Sequence, residues 1–284
     1  MRRRYAILGH DRLLRLAEHM NVELIMTHHN EFVEVDAGDS VATAKTRMGK
    51  NYDQLPVRRG DSYVGLIRMS NLADARDEDL IQCWLSPIGK GITVDARASI
   101  HDVIQELSTS PALLVFDTRA CVGLVHFTDL NKQGVRVFVY LWLSAVEMAL
   151  AGLLRLGDHR KWLGLLGSRK AIYFRGKLEE DRKAGIAPSS PVEYLNLSEL
   201  VRVIQKMPHL LDRLRLSRRA LGESGGAAVE LRQKIMHPSR TLIKCQEEVK
   251  QLVGRLSDLC KLVAATRGQH NAQVRNGSAE TRPG

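Results

Sequence analysis

Aromatic residues are scarce in this 284-residue chain, at 5%, so its cores must be aliphatic, built from Leu, Val, Ile and Ala. Cysteine is nearly as rare. Cys83, Cys121, Cys245 and Cys260 are scattered, form no CxxC pair and have no histidine at zinc-ligand spacing, which argues against a disulfide framework and a thiolate metal site. Reduced thiols of this kind fit a cytoplasmic protein. The start MRRRYAILGHDRLLRLAEHM is basic and amphipathic but develops no apolar run of signal length, so residues 1–19 read as an N-terminal basic helix. Long apolar runs are missing elsewhere, with one exception. Val137–Leu154 is 18 residues long with a single charge, Glu147, at the lower limit for a bilayer span. A carboxylate in hydrocarbon is costly. A buried helix in a domain core or dimer interface is therefore expected, without a membrane, and one span at 137–154 is the alternative.

Charge is plentiful and unevenly placed. Residues 1–149 hold 17 Lys and Arg against 19 Asp and Glu, whereas residues 150–284 hold 25 against 13, so the whole excess of +10 lies in the second half. Clustered cations concentrate phosphate near a surface, which points to a polyanion partner for that half. The competing reading is a solvated basic helical face.

The first half repeats itself. Val35, Asp36, Ala37 and Ser40 recur as Val94, Asp95, Ala96 and Ser99 at an offset of 59. Val57, Val64, Gly65 and Leu66 recur as Val115, Val122, Gly123 and Leu124 at an offset of 58, so one loop differs by one residue. Each copy reads β–α–β–β–α, with Ser40 or Ser99 as helix N-cap and hairpin turns at RRGDS and DTRA. Two such units pack to bury a shared face.

Strand, helix, LPV, hairpin and then Gly-Leu-hydrophobic-x-x-x-Asp/Asn resembles tandem CBS domains over about residues 20–132. The resemblance implies an α+β pair with clefts that bind an adenine nucleotide of the AMP, ADP or ATP type as a regulatory ligand. It places Asn71 and Asp129 at ribose-binding positions. At the two Thr/Ser positions that approach phosphate this sequence carries Arg68 and His126 instead. An arginine fork or a protonated histidine can still meet a phosphate.

From Gly134 the strand alternation stops, and an all-α bundle of about four main helices is expected, running to about residue 266. GESGG reads as a flexible break, Asn196 or Ser198 as a cap, Pro208 as a reset, and residues 267–284 as a disordered polar tail. Near the end stands LRQKIMHPSR, with Arg232 and His237 five apart. Among 29 arginines and ten histidines one such spacing is expected by chance, so context must carry it. A basic helical bundle, an Arg-x4-His pair before a proline and an earlier apolar helix with one embedded acid resemble HEPN domains, over about residues 134–266. Gln233 departs from the Asn, Asp or His that members often have after the arginine.

That resemblance implies a metal-independent endoribonuclease that requires no cofactor, acting as a homodimer and leaving a 2′,3′-cyclic phosphate. His237 would move the proton of the attacking 2′-OH, and Arg232 would face the charge growing on phosphorus. Glu147 would neutralise and orient Arg232. On an ideal helix the pair would stand about 140° apart, so the helix must end near Met236 for both to face one cleft. In the structural reading His237 is a helix C-terminal cap and Arg232 pairs with Glu230 or a loop carbonyl. The whole chain thus reads as a nucleotide-regulated ribonuclease, the alternative being a non-enzymatic nucleotide-binding regulator or interaction protein.

Overall fold

The chain opens on helix α1 (Tyr5–Glu18), with His10, Leu14 and Ala17 buried at helical spacing, while Arg2, Arg3 and Arg4 of the expected basic helix lie outside the described residues. A computed structural model describes residues 5–89, 91–155, 159–186 and 190–277. The chain divides into two units, one of Glu18–Arg136 with Leu242–Val253 and one of the remaining described residues.

The first unit carries the repeat. β1 (Thr27–His28), β2 (Val35–Asp36), α2 (Val41–Met48), β3 (Gln54–Arg59) and β4 (Ser62–Arg68) are answered by β5 (Ser86–Pro87), β6 (Thr93–Asp95), α3 (Ile100–Leu107), β7 (Ala112–Asp117) and β8 (Ala120–His126). The residues shared by the copies have folding roles. Ser40 and Ser99 cap α2 and α3, accepting from Thr43 N at 3.2 Å and Asp102 N at 3.1 Å. Asp36 and Asp95 close side-chain turns onto Gly38 N and Arg97 N, at 2.9 and 2.7 Å. The amides of Ala37 and Ala96 bond Arg58 O and Phe116 O. The one-residue slip lies where expected, between helix and strand: five residues follow α2 and four follow α3. α2 ends on Gly49, whose φ of 53° is a glycine conformation, and α3 has no such turn.

The repeats exchange their leading segments. The sheets run β1-β8-β7-β6 and β2-β3-β4-β5, so each leading strand joins the sheet of the other copy. The stitching is reciprocal: Val22 N bonds Ala98 O as Ile81 N bonds Asp39 O, and Ile100 N bonds Met20 O as Val41 N bonds Asp79 O. Gly65 and Gly123 permit the exchange. A Cβ at Gly65 would stand 2.1 Å from Ser86 O, and one at Gly123 would stand 2.8 Å from Thr27 O. Val35, Val41, Met48, Leu55, Val57 and Ile67 form an aliphatic core in the first repeat.

The closing helix expected of each repeat is reduced to a 3-10 turn, Met69–Leu72 and Phe127–Asn131. After the first, the run ADARDED favours turns, because short acidic side chains bond nearby amides, as Asp79 does to Arg76 N at 3.0 Å. After the second, Lys132 is extended, with ψ of 155°, and α4 (Gln133–Arg155) starts afresh.

The helical unit holds α1, most of α4, α5 (His159–Leu163), α6 (Ser168–Lys183), α7 (Leu197–Gln205), α8 (Pro208–Leu214), α9 (Arg218–Met236) and the later part of α10 (Gln246–Gly277). This is more helices than the four main ones expected. Asn196 caps α7 in a reciprocal box with Glu199, and Pro208 opens α8. GESGG is no break, since α9 runs through it. A Cβ at Gly225 would stand 2.6 Å from Val201 Cγ1, so this glycine brings α7 and α9 together. The polar C-terminal segment, expected to be disordered, continues α10 as helix as far as Gly277. The last seven residues of that predicted tail lie outside the described residues. α4 has the length and composition to cross a membrane, and 56% of its apolar window is buried, with Phe138, Val139, Leu143, Val146 and Leu150 in the core.

Candidate functional site

The four nucleotide positions predicted in the first unit lie where β4 and β8 run into their 3-10 turns. The turn geometry is supplied by the residues themselves. Asp129 Oδ2 accepts from His126 N at 2.7 Å, and His126 Nδ1 accepts from Thr128 N at 3.3 Å, a reciprocal cap. Asp129 Oδ1 also meets Lys132 Nζ at 2.9 Å, and that ammonium bonds Ile25 O and Met26 O at the base of the exchanged leader. Asn71 is likewise engaged, donating to Trp84 O at 3.0 Å and Ser86 Oγ at 3.3 Å. Both positions predicted to meet ribose thus hold leading segments in place.

Arg68 and His126 cross the boundary between repeats. Arg68 Nη2 donates to Ser110 Oγ at 3.1 Å, and His126 Nε2 lies 3.7 Å from Asp53 Oδ1. Burial pushes the His126 pKa down, against an upward pull from Asp53 and Asp129. At the opposite end of these two strands, burial followed by the hydrogen bond to Glu34 raises the pKa of Tyr63, and burial pushes that of Cys121, its counterpart in the second repeat, up to about 11.

A residue without any motif of its own completes this end of the unit. Asn131 Oδ1 accepts from Leu242 N at 2.7 Å and Ile243 N at 2.9 Å, and its Nδ2 donates to Ile243 O at 2.8 Å and Thr128 O at 3.0 Å. Leu242, Ile243, Val249 and Leu252 are buried, and Gln246 Nε2 donates to Leu107 O at the end of α3. The strap Leu242–Val253 is therefore fastened to the second repeat, beginning five residues after His237. No local pattern marks Asn131, because its partners in the strap are more than a hundred residues away.

In the helical unit, Arg232 Nε lies 3.8 Å from Glu147 Oε2, so the acid embedded in α4 meets the arginine on α9. Glu230 is used otherwise, by Arg255 at 2.8 Å. α9 ends at Met236, and His237 is its C-cap with φ −114° and ψ 88°, exposed, before Pro238. The required helix end is present. Among the described residues no hydrogen bond or ion pair joins the His237 ring to Arg232 or Glu147. No group of three or more His, Cys, Asp or Glu that could hold a metal occurs among the described residues.

These observations define the first unit as a duplicated α+β module with exchanged leading strands and a polar seam. No protein-family model and no curated protein matches the chain. Solved structures similar to it include the CBS domain of a bacterial CNNM/CorC family Mg2+ transporter in complex with ATP, 20% identical over 46% of this chain and 95% of that one, with a TM-score of 0.38. The CBS domains of a transcriptional regulator from Streptococcus pneumoniae are 20% identical over 39% of this chain and 96% of that one, with a TM-score of 0.36. CBSX2 in complex with AMP is 16% identical over 42% of this chain and 98% of that one, with a TM-score of 0.37.

Proposed function

We propose that the first unit is a tandem CBS pair that binds an adenine nucleotide and acts as a regulatory module. One observation carries this reading. The two 3-10 turns expected at ribose and phosphate present Arg68 with Asn71 and His126 with Asp129, at positions the repeat relates, and Arg68 and His126 both reach across to the other copy. Equilibrium titration of the purified full chain with AMP, ADP and ATP tests it. Saturable binding that Asp129→Ala weakens is expected, and absence of binding to all three overturns it.

For the helical unit we infer a HEPN-type ribonuclease acting without a metal, as a homodimer. What favours it is the exposed His237 at the end of the helix that carries Arg232, whose Nε lies 3.8 Å from Glu147 Oε2. His237 would take the 2′-OH proton and Arg232 would stabilise the phosphoryl charge. RNA cleavage by wild type and His237→Ala, both in EDTA, is the test. A loss of at least about 100-fold in the variant is expected, in line with general-base catalysis. Equal cleavage, or none by wild type, leaves the chain as a nucleotide-binding regulator only.

A further inference from the structure

We propose that the outer face of α6 is a platform for single-stranded nucleic acid, on which a base stacks against Tyr173 between phosphates held by Arg169 and Lys177. It needs neither Arg232 nor His237, lies on a different helix and performs no chemistry.

α6 packs by one side only. Ala171 and Phe174 are buried, and Lys170 reaches Glu199 on α7. The opposite side is apolar at its centre. Ile172 is 68% and Tyr173 60% exposed, the highest values among the large hydrophobic side chains described. A helical side chain leans back over the turn before it, so the residue three or four places on normally covers such a pair. Here that residue is Gly176. A Cβ at Gly176 would meet nothing within 4 Å, so packing does not require a glycine that weakens the helix. Its effect is to leave Ile172 and the Tyr173 ring bare. The ring is braced from behind, edge-on to Phe174 at 5.5 Å between centroids, and Phe174 in turn stacks on Tyr194 at 6.3 Å.

The charge around this ring has one sign. Ser168–Lys177 carries Arg169, Lys170, Arg175 and Lys177 and no acid. Arg169 and Lys177 stand four residues to either side of Tyr173, so the three form one stripe with a rise of about 6 Å between neighbours. Among the described residues no hydrogen bond or ion pair engages the side chain of Arg169 or Arg175. Lys177 pairs with Glu180 at 2.9 Å, an exposed pair of the kind that contributes little to stability, so a phosphate can take its place. The acids further along are engaged, Glu179 with Arg182, Glu180 with Lys177 and Asp181 with Tyr194. A second copy of this face would set cations against cations or displace those pairs, whereas a polyanion meets the unpaired guanidiniums directly. A bare aromatic ring between cations suits a single strand of any sequence, whose bases stack on the ring while its phosphates meet the charges. A duplex keeps its bases stacked internally and offers the ring nothing.

Fluorescence anisotropy of the full chain with a labelled, unpaired 2′-O-methyl RNA oligonucleotide tests this, since that strand lacks the nucleophilic hydroxyl and survives any cleavage. Tyr173→Ala is expected to weaken binding about 5- to 150-fold, the range for one lost stacked base, and Tyr173→Phe to bind like wild type. Arg169→Gln should lower the slope of log affinity against log salt by about 0.7, one phosphate contact, while Tyr173→Ala leaves the slope unchanged. Gly176→Leu should raise the melting temperature through its helix propensity and yet weaken binding, because the new side chain covers the ring. A merely structural Tyr173 would not separate stability from affinity in this way. The matching duplex should bind more weakly and be indifferent to Tyr173→Ala. No binding by wild type, wild-type affinity in Tyr173→Ala or Gly176→Leu, or an equal loss of duplex binding would overturn the platform. A dimer that Tyr173→Ala dissociates, with strand affinity unchanged, would overturn it in favour of a second copy. Strand binding lost in Tyr173→Ala, in a chain that cuts no RNA, keeps the platform and removes the nuclease reading. Cleavage abolished by His237→Ala, with strand affinity untouched by Tyr173→Ala, does the reverse.

Discussion

Asn131→Ala should loosen the strap at Leu242 and Ile243 without unfolding the first unit. The side chain makes four hydrogen bonds, two of them accepted from backbone amides of residues that are 2% and 3% exposed. Each bond contributes a net stability of about 1 kcal/mol, and an unmatched buried amide costs about 1–3 kcal/mol. The clasp is thus worth about 3 kcal/mol, some of it recovered when water reaches the freed groups. Burial of Leu242, Ile243, Val249 and Leu252, at about 2 kcal/mol for each side chain, keeps the strap largely docked. Local opening should therefore become easier by about 3 kcal/mol, which accelerates hydrogen exchange at the Leu242 and Ile243 amides about 100-fold. Asn131→Asp keeps an acceptor for both amides but loses the donor to Ile243 O and Thr128 O, and should fall between, at about 10-fold by the same conversion. Exchange measured by mass spectrometry or NMR reads this directly, with the amides of α7 as a control expected to stay unchanged. If Asn131→Ala leaves Leu242 and Ile243 protected as in wild type, or if the aspartate and alanine variants exchange alike, the clasp does not hold the strap.

Gly225→Ala should destabilise the helical unit by about 1–3 kcal/mol, because its Cβ would stand 2.6 Å from Val201 Cγ1. Gly226→Ala, one residue on, meets nothing within 4 Å and is exposed, so it should stabilise by about 0.5–1 kcal/mol; urea unfolding of the two variants should move in opposite directions. The depressed His126 pKa makes a pH prediction: the unfolded chain takes up this proton more readily than the folded one, so the contribution is complete above about pH 6.5 and is lost as pH falls through the folded value. His126→Asn, which retains an acceptor for the Thr128 amide, should lose less stability than wild type between about pH 7.5 and 5.5, and identical slopes would contradict the assignment.

The duplicated architecture was legible because its signals are local. Ser caps, Val-Asp-Ala turns and alternating strands act within a few residues, and the offset change from 59 to 58 placed the extra residue in an intervening loop, which the structure shows to be the one that starts at Gly49. The exchange of leading segments was not legible, since strands of two residues have no period to read and their partners lie in the other copy. GESGG misled for a related reason. Glycine weakens an isolated helix, but Gly225 is held helical by the close approach of Val201, a tertiary effect that outweighs propensity. The pairing of Glu147 with Arg232 was anticipated because a lone acid in an apolar helix needs a cation. That need exists with or without catalysis, so the ion pair alone does not distinguish a nuclease from a scaffold, whereas the chemistry of His237 does.

The repeat also separates folding from binding. Where the two copies keep a polar residue or a glycine, that residue shapes the scaffold. Ser40 and Ser99 cap helices, Asp36 and Asp95 close turns, and Gly65 and Gly123 admit the exchanged strands. A duplicated scaffold needs each of these twice. The seam departs from that rule, with Gln54 against Ala112, Asp53 against Pro111 and Arg68 against His126, and Asn131, which holds the strap, against Ala73. Gln54 is buried and polar, and no hydrogen bond among the described residues explains its side chain as a folding element. Polarity retained in only one of two otherwise equivalent places marks a requirement that the duplicated scaffold does not itself impose, and the strap, fastened to only one repeat, breaks the symmetry in the same copy-specific way.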